Sequence, residues 1–141
     1  MNKYLVVIDL GSNSIRLKIS ELQPDGQTVT KHYEKRYVRL SSGMGPEKVL
    51  KEEPMQRTLA ALREFRQISD QYPDKKVVAV ATAAVRQAKN QQDFLQRAKA
   101  ASGFDIQVIS GEQEAYLDYV GVTSTLPLQR GIIIDTGGAS M

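Results

Sequence analysis

Apolar residues along this chain switch from a strand-like period to a helical one and back. Tyr4 to Leu10 is an apolar run interrupted near its end by Asp9, which predicts a buried strand. Next, Ile15, Leu17 and Ile19 alternate with Arg16, Lys18 and Ser20, as on a half-buried strand. Pro24-Asp25-Gly26 marks a turn, and residues 28–30 with 33–40 predict a third, ragged strand. Residues 41–46, SSGMGP, read as a loop. The period then lengthens: Met55, Leu59, Leu62, Phe65 and Ile68 make a helical stripe over residues 54–72, with Pro54 in the first turn and Pro73 as the stop.

Val77 to Ala81 predicts a buried strand ending at Thr82, and a helix-like stretch follows. Asn90 is the expected N-cap of a helix over residues 91–101, and Gly103 its stop. A short strand is expected at residues 106–109. Ser110-Gly111-Glu112-Gln113 has the form of a capping box opening a helix to about Thr123, with Glu114 near its start. Pro127 precedes a last strand at residues 131–135. The expected order βββαβαβα, followed by one further strand, describes an α/β domain, its early strands an antiparallel meander and its later ones parallel.

Composition narrows this little. The 141 residues are 41% hydrophobic and 25% charged, enough to bury about two-thirds of the unfolded surface. A net charge of +3 suits an anionic ligand but is too small to imply specific nucleic-acid binding. Cysteine is absent, which excludes disulfides and thiolate metal sites and fits a cytoplasmic protein. No apolar stretch approaches the roughly 20 residues of a membrane span. The run ending at Leu10 has neither the length nor the cleavage site of a signal peptide.

The candidate chemistry lies where apolar runs end. Asp9-Leu10-Gly11-Ser12-Asn13-Ser14 follows the first strand, and Asp135-Thr136-Gly137-Gly138-Ala139-Ser140 repeats the pattern near Met141. Glycine after a strand allows a tight turn whose backbone N–H groups face an anion, and each Asp could hold the metal that neutralises it. The plain alternatives are an ordinary hairpin turn for the first loop and a flexible chain end for the second. Thr82-Ala83-Ala84-Val85-Arg86 also follows a strand, where ligand-facing residues of open α/β sheets sit. Arg86 could fork onto phosphate oxygens, or lie solvated on a helix surface. Glu112 suits the helix dipole, which leaves Glu114 as the carboxylate that helix formation does not explain. His32 reads as a surface side chain, and Lys31, Lys35, Arg36 and Arg39 as a basic, solvated strand edge.

Together these segments resemble the exopolyphosphatase / guanosine pentaphosphate phosphatase family. The motifs are DLGSNSIRL from Asp9, TAAVR from Thr82, ISGEQEA from Ile109 and IDTGGAS from Ile134, four in order across nearly the whole chain. The resemblance implies the actin-like fold of sugar kinases and chaperone ATPases: two RNase H-like lobes with phosphate and Mg²⁺ in the cleft between them. This chain would supply the first lobe, residues 1–126 with βββαβαβ topology, and the truncated start of a second at residues 127–141.

Carried over, the family's catalytic Glu falls on Glu114 and its phosphate-contacting Arg on Arg86. Gly11, Ser12, Asn13 and Ser14 would form one phosphate loop, and Gly137, Gly138, Ala139 and Ser140 the other. Asp9 and Asp135 would hold Mg²⁺. Two positions depart from the family pattern: Ala139 stands for a third glycine, and Gln113 stands where an acid is common. The implied reaction removes terminal phosphate from inorganic polyphosphate or from guanosine pentaphosphate. Alternatives are an ATP-dependent kinase or ATPase of the same superfamily, and a lobe that binds polyphosphate or guanosine tetraphosphate without turnover. These 141 residues alone are expected to fold, to be nearly inactive for want of a second cleft wall, and to self-associate as a homodimer.

Overall fold

The computed structural model describes residues 3–110, 112 and 113. Their elements are β1 (Tyr4–Leu10), β2 (Ile15–Leu22), β3 (Thr28–Arg36), α1 (Glu52–Ser69), β4 (Lys75–Ala81), α2 (Ala83–Gln87), α3 (Gln91–Ser102) and β5 (Ile106–Val108). They build a five-stranded sheet in the order β3-β2-β1-β4-β5. The first three strands form an antiparallel meander, while β4 pairs parallel with both β1 and β5. This is the α/β architecture expected from the sequence, with the helical stretch after β4 split into α2 and α3.

The periodicity of the sequence becomes the two faces of the sheet. Val6, Ile8 and Leu10 pair with Ile19, Leu17 and Ile15, so one face collects all six. They enter one buried cluster with Leu59, Leu62 and Phe65 of α1 and Phe94 of α3. Leu5 and Val7 point the other way and join Val80 and Ile109 in a second, smaller cluster. A strand buried on both faces must be apolar at every position, which is why β1 reads as a continuous run. Asp9 is the exception, and it lies at the end that meets the first glycine loop.

Helix α1 begins before Pro54, at Glu52, where Glu52 and Glu53 favour the positive end of the helix dipole. It ends at Ser69 rather than continuing to Tyr72. Gln71 and Tyr72 donate instead to the carbonyls of Ile68 and Ser69, a tightened turn. Tyr72 then sits edge-on to Tyr4 with ring centroids 5.1 Å apart. Gly103 stops α3 in the left-handed conformation, as its position suggested.

Strand β3 departs from expectation. It ends at Arg36, not Leu40, after a register shift opposite Ile19 and Ser20. Beyond it the chain leaves the sheet edge and buries Val38 and Leu40, while the Arg57 Nε donates to the Val38 carbonyl at 3.0 Å. Apolar residues 38 and 40 therefore signal core burial rather than strand pairing. His32 lies on this edge strand with its side chain 32% exposed and its Nε2 2.9 Å from Glu34 Oε1. Glu34 and Glu64 both accept from Arg36, which also lies over the Phe65 ring.

Candidate active site

Strands β1, β4 and β5 run parallel, so the segments after Leu10, Ala81 and Val108 emerge on one edge of the sheet. Backbone bonds tie them together there. The Thr82 N–H donates to the Leu10 carbonyl at 3.1 Å, and the Ile109 N–H donates to the Ala81 carbonyl at 3.0 Å. Three of the four segments singled out in the sequence thus converge. Asp135, Gly137, Gly138, Ala139 and Ser140 lie outside the described residues, as does Glu114.

Residues 11–14 close β1 onto β2, with the Gly11 N–H donating to the Ser14 carbonyl at 2.9 Å. The carbonyls of Ser12 and Asn13 are drawn back onto a neighbouring segment, accepting from Ser41 at 3.1 Å and Arg39 at 3.0 Å. Among the described residues, the N–H groups of Ser12, Asn13 and Ser14 donate to no acceptor. Successive N–H groups without an internal acceptor can receive an anion where they point to a common spot. Ser12 is buried, and its Oγ has no partner among the described residues. Gly11 does not use the left-handed backbone that Gly26, Gly43, Gly45 and Gly103 adopt, so the turn needs no special chirality at that position.

Asp9 is buried at the foot of this loop, opposite Arg16 across the β1–β2 ladder. Its Oδ2 lies 4.0 Å from Arg16 Nη1. Among the described residues no group of three His, Cys, Asp or Glu could cage a cation. One carboxylate fits a Mg²⁺ bound in the usual way, through one or two carboxylates, substrate phosphates and water.

Arg86 is half-buried in α2, and its Nη1 donates to the Ile109 carbonyl at 2.9 Å. That contact rules out a freely solvated helix-surface Arg, because the guanidinium is fixed at the junction of β5 and the next helical turn. The turn opens with the capping box expected from the sequence. The Gln113 N–H donates to Ser110 Oγ at 3.0 Å, and the Ser110 N–H donates to Gln113 Oε1 at 2.8 Å. Glu112 is exposed in that first turn, where an acid complements the dipole.

Asn90 stands at the N-cap position of α3, but its side chain does not cap the helix. Its Oδ1 accepts from Leu50 N–H at 2.9 Å, and its Nδ2 donates to the Leu50 carbonyl at 3.0 Å. The amide thereby fastens residues 38–50, the segment that holds the first loop's carbonyls, to the α2–α3 junction. Sequence reading missed this role and that of the segment itself. Its only local signal was the GMGP loop that keeps residues 43–46 out of regular structure.

Residues 19–141 match the Ppx/GppA phosphatase family. The chain belongs to that family. The Ppx/GppA proteins are part of the actin-like ATPase superfamily. Among solved structures, the chain is similar to the Aquifex aeolicus family member, with 32% identity and a TM-score of 0.83 over 89% of this chain and 41% of that one. It is also similar to an exopolyphosphatase from Cytophaga hutchinsonii, with 35% identity and a TM-score of 0.82 over 88% of this chain and 39% of that one. The chain therefore spans about two-fifths of the length of these Ppx/GppA structures, and its sheet corresponds to their N-terminal lobe.

Proposed function

We propose that this chain forms the phosphate-handling lobe of a phosphoanhydride hydrolase acting on inorganic polyphosphate or guanosine pentaphosphate. The observation that carries the reading is the loop at the end of β1. Three adjacent N–H donors and a buried Ser12 hydroxyl follow the strand that ends in buried Asp9 and Leu10, on the edge where Arg86 is fixed. Such a surface complements a phosphate group's oxygens on several sides.

In this reading, the terminal phosphate rests on residues 11–14 and Arg86 offsets the charge on its equatorial oxygens. Glu114 accepts a proton from water as the water oxygen bonds to the terminal phosphorus. The bridging P–O bond breaks toward the remaining chain, giving orthophosphate and a substrate one phosphate shorter. Gly137, Gly138, Ala139 and Ser140 would close the opposite side. Asp9 and Asp135 would hold Mg²⁺, which when bound supplies charge neutralisation to the phosphate oxygens. Little covalent work falls to the protein, so positioning and electrostatics carry the rate.

The test is phosphate release by the intact protein from long-chain polyphosphate and from guanosine pentaphosphate, with ATP as the kinase or ATPase control. Glu114→Gln should lower kcat by about 10²–10⁴ while leaving substrate affinity largely in place. Unchanged turnover in that variant would remove Glu114 from the mechanism.

A further inference from the structure

Arg39 combines three features that no other described residue shares. Its backbone is left-handed, at φ 51°, a conformation that glycine or asparagine adopts with less strain. Its N–H donates to the Asn13 carbonyl at 3.0 Å, which places it beside the N–H groups of Ser12, Asn13 and Ser14. Its guanidinium is exposed and makes no ion pair or side-chain hydrogen bond among the described residues. Arg36, Arg57, Arg66 and Arg97, by contrast, are each engaged with a carboxylate. The fold needs only the backbone at residue 39 and gains nothing visible from the side chain. Strain kept at a loop beside a ligand site points to function rather than packing.

We propose that Arg39 is a phosphate-binding residue, taking the phosphate next to the one seated on residues 12–14. The inference rests on reading that loop as a phosphate site. A planar guanidinium can fork onto two phosphate oxygens, and a neighbouring phosphate in the same chain carries its own charge. Arg39 would thus favour a chain of linked phosphates over a single orthophosphate. The antiparallel register, with Ile15 opposite Arg36, carries the following residues alongside residues 12–14.

The experiment compares intact wild type with Arg39→Asn and Arg39→Lys. Asn fits the left-handed backbone and removes the charge, so folding should be unimpaired and the thermal midpoint equal or higher. Calorimetric binding of inorganic tripolyphosphate should weaken about tenfold in Arg39→Asn, the loss of one charge-assisted contact, and less in Arg39→Lys. Orthophosphate binding should change by less than about twofold. Equal tripolyphosphate affinity in wild type and Arg39→Asn would overturn the proposal, as would equal losses for tripolyphosphate and orthophosphate. If wild type binds tripolyphosphate but releases no phosphate from it or from polyphosphate, the hydrolase reading fails while the Arg39 assignment is still decided by the affinities. No tripolyphosphate binding by wild type would overturn both.

Discussion

The buried hydroxyls of the helical layer and that of Ser12, at the sheet's C-terminal edge, are treated in opposite ways. Under the helices, Thr58 Oγ1 donates to the Pro54 carbonyl at 2.9 Å, Ser69 Oγ to Arg66 at 3.0 Å and Ser102 Oγ to Ala98 at 2.7 Å. Each hydroxyl uses a carbonyl three or four residues earlier, which a helix supplies automatically. At the sheet edge, Ser12 is equally buried, yet its hydroxyl has no such partner among the described residues. Folded chains rarely leave buried polar groups unmet, and the exceptions concentrate where something else is to be bound. The helical layer thus satisfies its own hydroxyls, while the edge leaves one unmet, as the proposed anion site requires.

The sharpest separation should come from Phe94, which is fully buried between α3 and the sheet. Phe94→Ala should cost about 3–5 kcal/mol in denaturant unfolding. The fraction that remains folded should retain its tripolyphosphate affinity. A large affinity change without loss of stability would place Phe94 in the site and break the division.

Paired serine deletions probe the same contrast at smaller scale. Ser102 Oγ also accepts from the Phe104 N–H at 3.2 Å, so Ser102→Ala strands a buried donor and should cost about 1–2 kcal/mol. Ser12→Ala removes an unmatched hydroxyl and should leave stability within about 0.5 kcal/mol. The same change should lower kcat/KM of the intact protein on its phosphate substrate about tenfold. Destabilisation by Ser12→Ala comparable to that of Ser102→Ala would mean that its hydroxyl is satisfied within the fold.

The smallest effect concerns pH, far from the edge. The hydrogen bond with His32, aided by Arg36, holds the Glu34 carboxyl below its ordinary value of 4.5, against a partial opposing effect of burial. A lowered folded-state value stabilises the fold above the unfolded value, and that contribution disappears as pH falls through the folded value. Glu34 is partly exposed, so the stability gap between wild type and Glu34→Gln should stay under about 1 kcal/mol. The gap should be flat above pH 4.5 and close below it. A gap that widens on acidification would reverse the assignment.

Local pattern was enough for the strands β1 and β2, the stripe of α1, the left-handed stop at Gly103 and the Ser110–Gln113 capping box. In each case the determining interaction joins residues within a few positions, or follows from the period of one element. The resemblance of four short motifs also supplied the family. What the sequence left open was settled by contacts between distant residues. Asn90 had the right position for an N-cap, but a backbone partner 40 residues away took its amide. Arg86 was indistinguishable from a surface Arg until the Ile109 carbonyl, 23 residues on, received its guanidinium. Arg39 read as part of a basic edge strand because Val38 and Leu40 alternate like strand residues. Only the packed core shows that both are buried, with the left-handed Arg39 between them. Periodicity records which side chains avoid water. It does not record which distant group meets them once the chain has folded.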